Sequence, residues 1–116
     1  MVDERRIFGN AAEDDAAAFL VEKGMTIVAR QYRNRFGEID LVAKDGEEFV
    51  MVEVKARHDS TFGYPEESVT QSKLRKIAAV AEAFMSDYPR NLWRIDVVAI
   101  EYGESPPRLT HIVGVG

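Results

Sequence analysis

Residues 49–56 constrain the fold of this chain more than any other stretch. They read Phe-Val-Met-Val-Glu-Val-Lys-Ala, which is apolar on both alternating faces except at Glu53 and Lys55. A strand that is apolar on both faces is typical of the middle of a sheet that is covered on both sides. An ionised group in such a place costs on the order of several kcal/mol unless it is paired or coordinated. Because Glu53 and Lys55 are two residues apart in the strand, they project from the same face and need partners there.

The rest of the sequence predicts an α/β protein with the order α-β-β-β-α-β-β. A first helix is predicted over residues 10–23, capped by Asn10 and ended by Gly24. The other predicted elements are strands over 25–32, 36–43 and 48–56, a helix over 70–87, and strands over 92–101 and 108–113; a loop is predicted over 57–68. One sheet with helices packed on its faces buries these apolar stripes. We expect residues 1–116 to form a single domain.

The predicted hairpin between the second and third strands brings a third polar group to this site. With a two-residue loop over residues 45–46, Asp40 lies diagonal to Glu53; with a four-residue loop, Asp40 faces Glu53 directly. Both registers place Asp40 on the face of Glu53 and Lys55, whereas a three-residue loop would separate them. The sequence leaves the choice between the first two open.

Two neighbouring carboxylates repel, so one takes up a proton unless a cation lies between them. Magnesium fits such a pair, because it binds through one or two carboxylates together with waters and substrate phosphate oxygens. Lys55 would then lie where a positive group orients water or stabilises charge that develops on a phosphate. The structural alternative is a buried ion pair of Lys55 with Glu53 or Asp40 that has no chemistry.

Composition limits the kind of metal and the location of the protein. The chain has no cysteine and only two histidines, His58 and His111, which excludes disulfides, thiolate catalysis and cysteine-ligated zinc. A bound metal is therefore expected to be a hard ion that prefers oxygen ligands. No apolar run approaches the ~20 residues that cross a bilayer, and the N-terminus does not resemble a secretory signal. We expect a cytoplasmic protein without a membrane partner.

The net charge of −5 argues against a general nucleic-acid binder, because such proteins usually carry a strongly basic surface. The basic residues are nevertheless grouped, within 24–36 and within 68–81, with no acid in either range. Each group is either a solvated face or a phosphate-contacting surface. The groups consist of Arg30, Arg33 and Arg35, and of Lys73, Arg75 and Lys76.

Two motifs carry a resemblance to a known superfamily. The sequence GEIDLV over residues 37–42, followed by VEVKAR over residues 52–57, resembles the PD-(D/E)xK nucleases, which include type II restriction enzymes and archaeal Holliday-junction resolvases. Over nearly its full length the chain resembles the YraN-like family of small bacterial proteins, which are predicted endonucleases. The supporting motifs are residues 9–13, Phe62-Gly63, Lys73 and residues 94–98.

The resemblance implies a restriction-endonuclease-like fold, a mixed sheet with an αβββαβ core flanked by helices. It implies that Asp40 and Glu53 ligate Mg²⁺ or Mn²⁺, and that Lys55 positions the attacking water for phosphodiester hydrolysis. Ile39 stands where the motif has proline, a departure that is common in resolvase-like branches. Glu13 matches an acid of the first helix that joins the metal site in such relatives; alternatively it forms a capping box with Asn10.

The expected substrate is nucleic acid, with DNA in branched or damaged form favoured over RNA. Arg57, Lys73, Gln71 and Arg35 are candidate phosphate contacts, and Gln71 and Lys73 are equally well explained as solvated helix-start residues. A catalytically silent module that binds nucleic acid or a partner on the same fold is the alternative function. One active site cuts one strand, so a double-strand cut would need a symmetric homodimer.

Overall fold

The computed structural model describes residues 4–58, 69–103 and 105–116, with side chains from Asn10 onward. Within these ranges the elements follow the predicted order of an α/β fold. They are α1 (Glu4–Glu22), β1 (Thr26–Asn34), β2 (Gly37–Asp45), β3 (Glu48–Arg57), α2 (Gln71–Met85), β4 (Trp93–Glu101) and β5 (Arg108–Ile112). The predicted loop is described only at its ends, and the Phe62-Gly63 motif lies outside the described residues.

The strands form one mixed sheet in the order β1-β2-β3-β4-β5. β2 pairs antiparallel with β1 and with β3, β4 lies parallel to β3, and β5 returns antiparallel to β4. The parallel pair is connected through α2, as expected for a βαβ crossover. β3 is therefore the central strand, which confirms the prediction from its apolar faces, and the αβββαβ order confirms the predicted fold class.

Each face of the sheet is covered by one helix, and each helix packs on its own set of buried side chains. The α1 cluster consists of Ala12, Ala16, Leu20, Met25, Leu41, Ala43, Val50, Val52, Val98 and Ile100. The α2 cluster consists of Ile39, Val42, Phe49, Met51, Ile77, Val80, Ala81, Met85 and Ile95. Burying one such large side chain stabilises the fold by roughly 1.5–3 kcal/mol, so both helices are held mainly by these faces.

The start of α1 differs from the prediction. The helix begins at Glu4, six residues before the predicted cap, so Asn10 lies inside it and forms no capping box with Glu13. Asparagine is favoured at a cap, but its presence alone does not stop a helix whose preceding residues can continue it. The end of α1 is as predicted: Gly24 has a φ of +97°. The N–H of Met25 bonds the carbonyl of Leu20, the Schellman pattern of a glycine-terminated helix.

The β2–β3 hairpin has the strand register that a four-residue loop would produce, although one further residue pair shortens the turn itself to two residues. Lys44 pairs with Phe49 and Asp45 pairs with Glu48, which leaves only Gly46 and Glu47 in the turn. The last pair of the ladder is Leu41 with Val52. Continued by one residue, this register places Asp40 opposite Glu53.

The remaining predicted elements are confirmed, with ends that shift by at most two residues. α2 begins at Gln71, and the hydroxyl of Thr70 caps it by accepting from the N–H of Lys73 at 3.1 Å. Within the described residues, neither α1 nor α2 is both long and apolar enough to cross a membrane.

Candidate active site

β2 and β3 separate immediately after the Leu41–Val52 pair, and we call this point the β2–β3 fork. Beyond it, the first residues of β2 pair only with β1, and the last residues of β3 pair only with β4. The side chain of Asp40 enters the fork: its Oδ2 accepts a hydrogen bond from the backbone N–H of Val54 at 2.8 Å. A strand N–H points along the sheet, so the Asp40 carboxylate lies in the plane of the sheet and replaces a ladder carbonyl.

The alternation of β2 breaks at this same residue. Ile39 packs in the α2 cluster and Leu41 packs in the α1 cluster, although residues two apart in a regular strand share a face. The expectation that Asp40, Glu53 and Lys55 all project from one face is therefore wrong for Asp40. Its carboxylate reaches Glu53 from within the sheet plane, because the strand is irregular there.

Gln31 marks the irregularity on the neighbouring strand. It lies between the pairs Arg30–Leu41 and Tyr32–Ile39, which places it opposite Asp40, and it has a φ of +48°. A non-glycine residue in this region costs on the order of 1 kcal/mol and needs support from its surroundings. The residue type does not indicate this conformation, because glutamine is not among the residues that favour left-handed backbone.

Glu13 approaches the site from the helix on the other side of the sheet. It is only 8% exposed, and its carboxylate lies 3.5 Å from Arg30 Nε and 3.3 Å from Gln31 Nε2, which donates to it. It also raises the pKa of Asp40, so the two carboxylates are close enough to interact. Because α1 begins well before Asn10, the capping explanation for Glu13 is excluded.

Two amines share one oxygen of Glu53. Lys55 Nζ lies 3.4 Å from Glu53 Oε1, and Lys73 Nζ of α2 forms an ion pair with the same oxygen. Glu53 is 8% exposed, whereas the side chains of Lys55 and Lys73 are 26% and 35% exposed. The structure thus brings Lys73 to the carboxylates rather than leaving it as a solvated helix-start residue. The amines form the outer side of the cluster, so it is open to solvent there.

The charges of this cluster perturb one another. Burial, and after it the charge of the adjacent Glu53, raise the pKa of Asp40 to about 7. Burial and the neighbouring Lys73 lower the pKa of Lys55. For Lys73 burial is the largest single influence and acts in the same direction, but its interactions with Glu53, Lys55 and Asp40 together outweigh burial and raise its pKa. Asp40 is therefore partly protonated near neutral pH, because burial and the charge of Glu53 both disfavour its ionised form.

The donor set fits a hard divalent ion with few protein ligands. Across residues 4–58, 69–103 and 105–116, no group of three or more histidine, aspartate or glutamate side chains is arranged as a complete metal cage. Magnesium does not require one, since one or two carboxylates with waters and phosphate oxygens suffice. Asp40 and Glu53 provide that pair. The structural alternative, a Glu53–Lys55 ion pair, is present, but it is one contact within a larger cluster that also holds Asp40 and Lys73.

The other predicted phosphate contacts lie at the ends of β3 and α2 and in the turn between β1 and β2. Arg57 is the half-buried last residue of β3, and its carbonyl accepts from the N–H of Tyr102. Gln71 is the exposed first residue of α2 and lines a cavity with Arg75 and the C-terminal residues 114–116. Arg35 lies at the exposed turn between β1 and β2.

A second charged cluster lies away from the fork. Asp96 is fully buried and accepts from Arg94 Nε at 3.0 Å. It also lies 2.8 Å from His111 Nε2 and accepts from the N–H of Gly114 at 3.0 Å. Arg94 in addition contacts Glu48 at 2.6 Å. With its oxygens fully engaged, this cluster is a structural anchor of β4 and β5.

Comparison with known proteins identifies the family. The model of the uncharacterised protein family UPF0102 matches residues 12–100. The chain belongs to UPF0102. This is the YraN-like family, so the resemblance seen in the sequence is confirmed. The matched range contains Glu13, Asp40, Glu53, Lys55 and Lys73.

Relatives from distant bacteria match most of the UPF0102 chain. A UPF0102 protein of Rhodococcus jostii (strain RHA1) is 45% identical over 107 residues, which cover 90% of this chain and 91% of the relative. One from Anaeromyxobacter dehalogenans (strain 2CP-C) is 40% identical, covering 94% and 83%. One from Arthrobacter sp. (strain FB24) is 40% identical, covering 95% and 96%.

Proposed function

We propose that this UPF0102 protein is a metal-dependent endonuclease that hydrolyses phosphodiester bonds in DNA. The observation that carries the proposal is the convergence of Asp40, Glu53 and Lys55 at the β2–β3 fork, where the Asp40 carboxyl accepts from the N–H of Val54 and Lys55 pairs with Glu53. A purely structural Glu53–Lys55 ion pair has no need of a second buried carboxyl beside it.

Asp40 and Glu53 are the residues that would hold the ion, Mg²⁺ or Mn²⁺. When bound, such an ion supplies Lewis-acid activation of water and neutralises phosphate charge. Lys55 presents its ammonium beside Glu53 and stabilises negative charge on the phosphoryl oxygens or orients the attacking water. Glu13, oriented by Gln31 and Arg30, supports Asp40 from the α1 side.

The nucleic-acid partner is proposed to bind over the open, lysine-bearing side of the cluster. Lys73 is part of that side, and Arg57 ends the strand that carries Glu53 and Lys55. Gln71 and Arg35 flank it more remotely on α2 and on the β1–β2 turn. Because the chain as a whole is acidic, attraction of the phosphate backbone would depend on these local cations. This arrangement favours binding of a defined substrate over general binding of nucleic acid.

The test is cleavage of branched, single-stranded and duplex DNA by the parent and by Asp40→Asn, Glu53→Gln and Lys55→Ala, with Mn²⁺ and with chelator. We expect each variant to lose activity on the order of 100-fold or more, as is usual when a transition-state contact is removed. Glu38→Gln is the matched control: its exposed carboxylate on the same strand pairs with Arg33 at 2.7 Å, away from the fork. Equal activity in all variants would indicate a contaminating nuclease and refute the proposal.

A silent binding module on the same fold is the second candidate. The ion pair of Lys73 with Glu53 favours it, because this ammonium already compensates the carboxylate that a metal would use. The two candidates differ in a binding measurement. A catalytic site takes up Mn²⁺ at millimolar or lower concentration in the parent and not in Asp40→Asn, whereas a silent module binds nucleic acid without taking up the ion.

A further inference from the structure

The turn between β1 and β2 presents an exposed aromatic ring beneath a guanidinium. Arg35 and Phe36 form this turn, and the Arg35 Cζ atom lies 4.7 Å from the centroid of the Phe36 ring. The Phe36 side chain belongs to neither core cluster and is 44% exposed. A cation over a ring face is mildly favourable at an exposed site, but it does not repay the exposure of a phenylalanine to water. The core therefore gives no reason for an aromatic residue at this position.

The backbone of this turn is held firmly against α2. The side chain of Asn34 accepts from the N–H of Phe36 at 2.9 Å and donates to the carbonyl of Val80 at 3.2 Å. Gly37 follows with a φ of +144°, and a Cβ there would lie 3.4 Å from Val80 Cγ2. Because the chain passes α2 this closely on both sides of the turn, Arg35 and Phe36 are displayed on a fixed support.

The charge of the turn suits a polyanion. Arg33 is paired with Glu38 at 2.7 Å. Among the ion pairs formed within the described parts of the chain, none engages Arg35. An aromatic face combined with an arginine is the pairing that proteins use to stack unpaired bases while contacting the adjoining phosphate.

The position of the turn relates it to the proposed cleavage site. Phe36 precedes Asp40 by four residues, which corresponds to about 13 Å at ~3.3 Å per strand residue. That distance is roughly four base-pair steps of ~3.4 Å. The support of the turn on Val80 places it on the α2 side of the sheet, the side on which Lys73 reaches Glu53.

We infer that the Arg35–Phe36 turn is a base-stacking contact that selects nucleic acid with unpaired bases close to the scissile phosphate. The inference rests on the proposed function and specifies its substrate class: nucleic acid with single-stranded flaps or gaps rather than fully paired duplex. Phe36 stacks on an exposed base, and Arg35 contacts the phosphate that follows it. In an intact duplex the bases are not available to the ring, so the turn contributes nothing there.

Binding is measured with metal-free protein, so that no cleavage occurs, by fluorescence anisotropy on a labelled splayed duplex, a gapped duplex and a matched duplex. Phe36→Ala is expected to weaken binding to the first two by on the order of 10-fold, the loss from one stacked base, and to leave the matched duplex unchanged. Phe36→Tyr keeps the ring and is expected to restore binding. Leu92→Ala removes an apolar side chain of 75% exposure elsewhere and is the matched control, expected to have no effect.

An unchanged affinity in Phe36→Ala, or an equal loss on all three substrates, would overturn the inference. So would a change in sedimentation from dimer to monomer in Phe36→Ala, because the ring would then cover a second copy of the chain. The proposed function fails separately. If the parent binds splayed DNA through Phe36 but never cleaves it, catalysis is refuted and the stacking contact stands; if Phe36→Ala cleaves every substrate as the parent does, the stacking contact is refuted and catalysis stands.

Discussion

The backbone N–H of Val54 donates its hydrogen bond to the side chain of Asp40 rather than to a carbonyl of β2. Asp40 thereby ends the β2–β3 ladder and turns its carboxylate towards Glu53, the residue that precedes Val54. The same bond stabilises the ionised form of Asp40, while burial and Glu53 disfavour it and prevail. Asp40 thus shapes the fork and is also the acid there whose pKa is shifted most.

Asp40 should make the stability of the protein fall as the pH rises towards neutrality. Its pKa is about 7 in the folded chain and 3.8 in the unfolded chain, so between these values only the folded state keeps the proton. Rising pH therefore favours unfolding over this window, and the effect is complete above pH 7. Asp40→Asn lacks this effect and keeps the bond to Val54. We expect it to gain about 3–5 kcal/mol over the parent between pH 4 and pH 8, because the two pKa values differ by about 3 and each pKa unit is worth ~1.4 kcal/mol.

Chemical denaturation of the two proteins at several pH values measures this difference. Glu38→Gln serves as control, because Glu38 is exposed and paired with Arg33, and its difference from the parent should stay nearly constant. A stability difference between Asp40→Asn and the parent that does not vary with pH would show that Asp40 is ionised throughout.

Divalent ions should stabilise the parent and not the fork variants. A ligand at 100 times its Kd adds about 2.7 kcal/mol to the free energy of unfolding, which corresponds to a rise in Tm of roughly 5–10 °C for a chain of this size. Differential scanning calorimetry with Mg²⁺ or Mn²⁺ checks this for the parent, Asp40→Asn and Glu53→Gln. An equal shift in all three proteins would locate the bound ion elsewhere.

Lys73 should compete with the ion for Glu53. Its ammonium contacts Glu53 Oε1, so removing it vacates the oxygen and removes a repulsive charge. We expect Lys73→Gln to bind Mn²⁺ about tenfold more tightly by titration calorimetry, consistent with a charge acting over a few ångströms near the surface. Lys76→Gln, an exposed lysine on the same helix, should match the parent. Weaker Mn²⁺ binding in Lys73→Gln would mean that Lys73 instead orients Glu53 for the ion.

Asp96 should be important for stability and not for metal binding. Replacing it by alanine leaves Arg94 without its buried partner, and breaking such a pair typically costs about 3–5 kcal/mol. Asp45→Asn removes an exposed partner of the same arginine and should cost at most about 1 kcal/mol. Urea denaturation gives both values, and a cost for Asp96→Ala similar to that of Asp45→Asn would contradict the anchoring role.

The position of Asp40 opposite Glu53 was predictable because hairpin register is a local property, whereas the break in the alternation of β2 at Asp40 was not. Two polar residues in an otherwise apolar strand required a common partner, and only even loop lengths brought Asp40 to them. The sequence left two registers open, since the turn residues suit both. The structure selects the one in which Asp45 pairs with Glu48.

The contacts that the sequence missed depend on how elements pack. Lys73 reaches Glu53 because α2 crosses the sheet at a particular rotation, and no spacing within α2 fixes that rotation. Gln31 adopts its positive φ through the surroundings of the fork, which its residue type does not indicate. The start of α1 was misplaced because Asn10 has the composition of a cap, while whether the preceding residues stay helical depends on more than the type of residue at one position.

The turn at Gly46 and Glu47 lies at the far end of the hairpin from Asp40, yet its length fixes which residue Asp40 meets. Inserting a single amino acid there would shift β2 against β3 by one position unless a bulge absorbed it, and Asp40 would then lie beside a neighbour of Glu53 that points to the α1 side. The residue count of this turn therefore matters to the site, although the turn itself lies far from it. The length of this turn, which carries no residue of the proposed site, is therefore constrained by the alignment of Asp40 with Glu53.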